Sequence, residues 1–123
     1  MQRIFLLLIG ILSYSTVSAQ RYTDIYINDA NKVGLSWLND INHNQYENAY
    51  SLCSKEYKAM YPQETWIALM NELMLEFGYL ESRTVTQKYF QSQVDGMEDG
   101  FYVFLEYSSQ YENTKEHIEY LLL

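Results

Sequence analysis

The residues able to do chemistry are few, and most of them stand alone. His43 and His117 are the only histidines, and neither has a second His or Cys at metal-ligand spacing. Zinc asks for three or four such ligands, two of them close together on a helix or hairpin. Both histidines are therefore expected at surface or boundary positions, with no metal and no other cofactor. Cys53 is the single cysteine and has no partner for an intramolecular bridge. A reactive thiol needs a neighbouring positive charge, and Lys55 alone is weak support, so Cys53 reads as a small buried hydrophobe. Pairing Cys53 with His43 gives a nucleophile and a base but no third group to orient them. Asp95, Glu98 and Asp99 offer hard oxygens to calcium. The order Asp-Gly-Met-Glu-Asp-Gly lacks the alternating oxygens of a calcium loop and reads as an acidic turn. There is no Gly-rich phosphate loop and no Gly-x-Ser-x-Gly elbow.

One constellation is chemically richer. A desolvated carboxylate beside a tyrosine supplies an acid of raised pKa and a donor for a developing oxyanion. Arg83, Tyr102 and Glu106 are the candidate pocket residues, with Tyr107 next to them in sequence. On a regular strand Glu106 shares parity with Tyr102, while Tyr107 points to the other face. The four cannot all converge, and the preferred expectation is Glu106 solvated or paired with Arg83. No residue is assigned as catalytic.

The elements that would position these groups fall into two halves. In residues 24–43, Ala30, Val33, Trp37, Leu38 and Ile41 recur at spacings of three and four, with Asn31, Lys32, Asn39 and Asn42 opposite. A second helix is expected over 46–54, with Tyr46, Ala49, Tyr50 and Cys53 on its stripe. A third opens at Pro62, buries Trp66, Leu69, Met70, Leu73 and Phe77, and closes at Gly78. Beyond Tyr79 the period shortens to two. Strands are expected over 84–90, 101–111 and 115–123, with a turn between Asp95-Gly96 and Asp99-Gly100. The middle strand turns Val103, Leu105 and Tyr107 one way, and Tyr102, Phe104, Glu106 and Ser108 the other. Helices followed by strands define an α+β class: three N-terminal helices on a curved antiparallel sheet of three strands. The apolar last stretch, Tyr120-Leu121-Leu122-Leu123, makes an aggregation-prone edge. It is expected to lack a further strand or to pair with a second copy as a homo-oligomer.

Residues 1–19 read as a cleavable export signal: Arg3, then an apolar run from Ile4 to Leu12, then Val17-Ser18-Ala19 before a cut. At about 1.5 Å per residue that run covers roughly half of a 30 Å hydrocarbon core, so no stable membrane insertion is expected after cleavage. Residues 20–123 form one domain. Eight basic residues against 16 acidic ones give a net charge of −8, which opposes binding to nucleic acid and to anionic lipid. Thirteen tyrosines, one of them Tyr14 in the leader, favour a recognition role, because Tyr is amphipathic and suits interfaces.

With the elements in place, Trp37-Leu38, Asp40, Tyr46 and Ala49-Tyr50 resemble the opening of the domain of unknown function 4019 family. The likeness continues through Trp66, Gly78, Ser82-Arg83 and Asp99-Gly100-Phe101-Tyr102-Val103 to Glu116, within about Leu35 to Leu123. The resemblance implies a cystatin-like or nuclear transport factor 2-like cone fold in exported bacterial proteins, with no established activity. It also implies one more strand containing a Trp, which this sequence does not show. Some proteins of that shape isomerise or dehydrate ligands in the cone. The leading expectation is an exported, non-enzymatic domain that binds a protein partner or small ligand in the cell envelope, secreted or periplasmic. The competing one is an isomerase- or dehydratase-like enzyme. An interior filled by Trp37, Trp66 and Phe104 favours the first, and an open cavity with Glu106 at its base the second.

Overall fold

The computed structural model describes residues 2–6 and 19–123. Residues 7–18 of the expected leader lie outside the described residues. Four helices, α1 (Ala19–Asn42), α2 (Tyr46–Ser51), α3 (Lys55–Met60) and α4 (Gln63–Phe77), precede three antiparallel strands. The strands are β2 (Leu80–Gln91), β3 (Tyr102–Tyr111) and β4 (His117–Leu122), with β3 in the centre. Before them all comes β1 (Gln2–Leu6), which runs parallel to β4 and pairs Gln2 with Ile118 through to Leu6 with Leu122. The α+β class holds, with one helix more than the spacing predicts.

That extra helix comes from a break inside the expected second one. Leu52 ends α2, and the Ser54 side chain then accepts a hydrogen bond from the Tyr57 amide at 3.1 Å, capping a new start. Pro62 stands as the N-cap of α4, and Gly78 ends it at φ +77°, ψ −162°, a region open essentially to glycine alone. The Gly78 turn is held by two backbone bonds, Asn113 N–H to the Phe77 carbonyl and Glu112 N–H to the Tyr79 carbonyl.

Helix α1 lies along the sheet on Ala30, Trp37, Leu38 and Ile41, all buried. Gly34 sits where it crosses. A Cβ there would meet the Leu121 and Leu105 methyls at 2.9 and 3.0 Å, so the missing side chain is what lets helix and sheet approach. Val33 corrects the expected stripe: it is 38% exposed, because successive helical residues are about 100° apart and Gly34 holds the contact line. Leu69 is exposed for the same reason, one position from Met70 on the buried line Trp66, Met70, Leu73 and Phe77. Asn31 and Asn42, expected on the far face, instead flank the core and bond into it.

The interior is filled. Trp37 and Trp66 lie 6.2 Å apart, with Tyr50 5.5 Å from Trp66. Each buried indole N–H has an acceptor: Trp37 donates to the Ala49 carbonyl at 2.7 Å, and Trp66 to the Tyr57 hydroxyl at 2.9 Å. Strand β3 sends Val103, Leu105, Tyr107, Ser109 and Tyr111 into this side. Phe104 corrects the expected filling. It lies on the opposite, half-buried face, its ring between those of Tyr89 at 5.0 Å and Tyr120 at 5.5 Å, both tilted to it, and Leu105 and Tyr107 occupy the interior instead.

Candidate functional site

The three candidate pocket residues do not meet. The sheet register sets Arg83 opposite Ser109, Glu106 opposite Gln87, and Tyr102 opposite Gln91. Glu106 lies on the half-buried outer face, where Thr86 donates to it at 2.7 Å and Gln87 at 3.3 Å. Tyr102 turns into the hairpin loop and donates to the Glu98 carbonyl at 2.5 Å. Arg83 faces the helices, and its partner is Glu119 rather than Glu106.

Around that ion pair the fold builds its main buried polar cluster. Arg83 Nε and Nη2 donate to the two Glu119 oxygens at 2.9 and 3.1 Å, a bidentate fork. Ser109 adds a donor to one oxygen at 2.5 Å and Tyr111 to the other at 2.8 Å. Four donors on two oxygens saturate a carboxylate. Two further guanidinium protons reach Asn42 Oδ1 and the Tyr111 hydroxyl, each at 3.0 Å, and Asn42 Nδ2 donates to that same hydroxyl at 3.0 Å. The side chains of Arg83 and Glu119 are 7% and 4% exposed, so both charges depend on these partners. The cluster ties the end of α1 to all three antiparallel strands. Its acid is committed on every lone pair, which suits holding elements in register and not moving protons.

Sequence reasoning missed Glu119, Ser109, Tyr111 and Asn42. The signal was faint, because β4 alternates His117, Glu119 and Leu121 inward with the more apolar Ile118, Tyr120 and Leu122 outward. His117 is a further correction. It is buried, edge-on to Phe77 at 4.8 Å and to Tyr111 at 5.9 Å, and not at a boundary. His43 does sit in the exposed turn after α1, its Nδ1 2.8 Å from the Asn39 carbonyl. Cys53 is buried as expected, and burial raises its thiol pKa to about 11, which keeps it protonated and unreactive at neutral pH. Burial likewise raises the Tyr57 phenol to about 12, partly offset by the Trp66 hydrogen bond, and pushes Tyr107 and Tyr111 up. Among the described residues no group of three or more His, Cys, Asp or Glu is placed to hold a metal.

Among the described residues, two shallow grooves share Asn44. One, of about 230 Å³, runs between Asn42, Asn71, Met74 and Tyr79; the other, of about 190 Å³, between Gln45, Asn48 and Ile67. Asn44 stands at the junction with φ +62°, a left-handed position that Asn tolerates better than most residues. Asn42 belongs both to the first groove and to the buried cluster, so the groove floor is pinned by the ion pair behind it.

A sheet packed against helices, a self-satisfied ion pair and open amide-lined grooves define a small α+β domain. Residues 33–123 match the family described as "Protein of unknown function (DUF4019)", and the chain belongs to it. No curated protein and no solved structure matches the chain.

Proposed function

We propose that this is an exported, non-enzymatic domain of the bacterial cell envelope, secreted or periplasmic, that binds a small neutral ligand or an uncharged segment of a partner at the grooves meeting in Asn44. The observation that carries this reading is the lining itself. Asn42, Asn44, Gln45, Asn48 and Asn71 bring five amide side chains to one surface, with Glu47 the single charged residue in the lining, in a chain that holds 16 acidic residues. Amides both donate and accept, so they suit sugar hydroxyls or peptide groups better than ions. The export pattern of residues 1–19 and the tyrosine excess support the same reading. No observation favours the isomerase- or dehydratase-like alternative, since Glu106 and Tyr102 are engaged at separate places on the outer face and loop.

The test is a titration of the 15N-labelled protein with neutral mono- and disaccharides and short uncharged peptides. Binding is expected to shift amides of residues 42–48 and 71–79 and to weaken in Asn71→Ala. Shifts confined to another surface, or none across the panel, would refute the assignment.

A further inference from the structure

Strand β4 carries part of the expected leader on its outer edge. Its outer edge carries β1 along five residue pairs, from Ile118 to Leu122, and β1 lies wholly within residues 1–19. Cleavage after Ala19 removes the strand and leaves a row of backbone N–H and C=O groups without their ladder partners, a template for another strand. The described residues of the hydrophobic core fall between Ala30 and Leu123, all within the chain that cleavage leaves.

We infer that the processed chain pairs β4 to β4 with a second copy, and that β1 blocks this edge until the leader is removed. The inference rests on the export reading for its trigger. A second copy fits the edge for three reasons. An antiparallel pair centred on Tyr120 sets Ile118 of one copy opposite Leu122 of the other, apolar against apolar on the outer face. The one carboxylate within the paired stretch, Glu119, is turned inward and neutralised by Arg83, so no like charges oppose each other at the seam despite the net charge of −8. The aromatic row Tyr89, Phe104 and Tyr120 crosses the outer face as far as β4, and two-fold pairing sets the Tyr120 of one copy beside that of the other. Two antiparallel three-stranded sheets become one of six strands through a closed isologous contact, with β2 at each outer end.

The experiment compares the chain beginning at Gln20 with the full chain by analytical ultracentrifugation, alongside Tyr120→Lys and Ile118→Lys in the shorter form. The shorter chain is expected to dimerise with a dissociation constant of about 10 μM or tighter, and the full chain to stay monomeric. Each lysine variant is expected to weaken the dimer at least tenfold. Added salt should strengthen the dimer by screening two acidic bodies. Hydrogen exchange on the unsubstituted short chain gives a second readout that needs no variant: the amides of residues 118–122 should gain protection as concentration rises. A monomeric short chain, or a dimer indifferent to both substitutions and unprotected at β4, overturns the inference. An exported protein that retains Met1 at its N-terminus would instead refute the export reading and leave the pairing result standing by itself.

Discussion

Replacing Glu119 by Leu removes the acceptor of four hydrogen bonds and leaves the Arg83 guanidinium, 7% exposed, facing Ser109, Tyr111 and Asn42 with no counter-charge. Breaking one side of a buried pair in this way costs about 3–5 kcal/mol, because the remaining charge keeps its desolvation penalty. Domains of this size are stable by only about 5–15 kcal/mol, so the change takes a large share of the total. With a urea slope of about 1.5 kcal/mol per molar, the unfolding midpoint should fall by about 2–3 M. Adding Arg83→Met removes the stranded charge. Tyr111 keeps its bond from Asn42, while the Ser109 hydroxyl loses both partners, so the double variant should cost only about 1–2 kcal/mol. The cycle should therefore show a coupling of at least about 2 kcal/mol between the two positions. Urea melts followed by circular dichroism measure all four proteins. A Glu119→Leu variant losing under about 1 kcal/mol, or a double variant no better than the single one, would refute the view that this pair is held as a mutually dependent unit.

Gly34→Ala should destabilise by about 1–3 kcal/mol, since the new methyl meets Leu121, Leu105 and the Tyr107 hydroxyl at 2.9–3.1 Å and these buried side chains must shift; a urea melt reads this directly. Gly78→Ala should cost about 2–3 kcal/mol through its backbone geometry alone, with crowding by the Glu112 side chain added, and a melt within 0.5 kcal/mol of the parent would contradict it. Burial lifts the Cys53 thiol from 9.0 to about 11, so the folded chain holds a proton that the unfolded chain releases. Its contribution is intact below pH 9 and is lost as pH climbs towards 11, a fall of about 2–3 kcal/mol that Cys53→Ala should remove from the measured pH curve.

Much of this architecture is written in spacing. The Trp37–Leu38–Ile41 stripe, the Trp66–Met70–Leu73–Phe77 stripe and the alternation of β3 each predict the face that is buried, because one element packs on one partner there. The break at Leu52 was harder, since a single serine cap restarts a helix inside one continuous polar and aromatic run. The ion pair was hardest. Glu119 sits between Ile118 and Tyr120, and local pattern assigns such a carboxylate to solvent. Only its partners, Arg83 far back on β2 and Asn42 on α1, make burial tolerable, and no periodicity links those three positions. Glu106 shows the opposite: its strand could line an interior, but its parity with Phe104 puts it on the outer face, bonded to Thr86 and Gln87.

The placement of the two tryptophans has a spectroscopic outcome. Both are essentially sealed from water, at 0% and 1% exposure, within one aromatic nest, and neither lines the grooves at Asn44. Intrinsic emission from this protein should be blue-shifted and should redden only on global unfolding. An occupant of the grooves should therefore leave that colour unchanged, and a ligand screen read by tryptophan fluorescence would return silence even when every molecule is loaded.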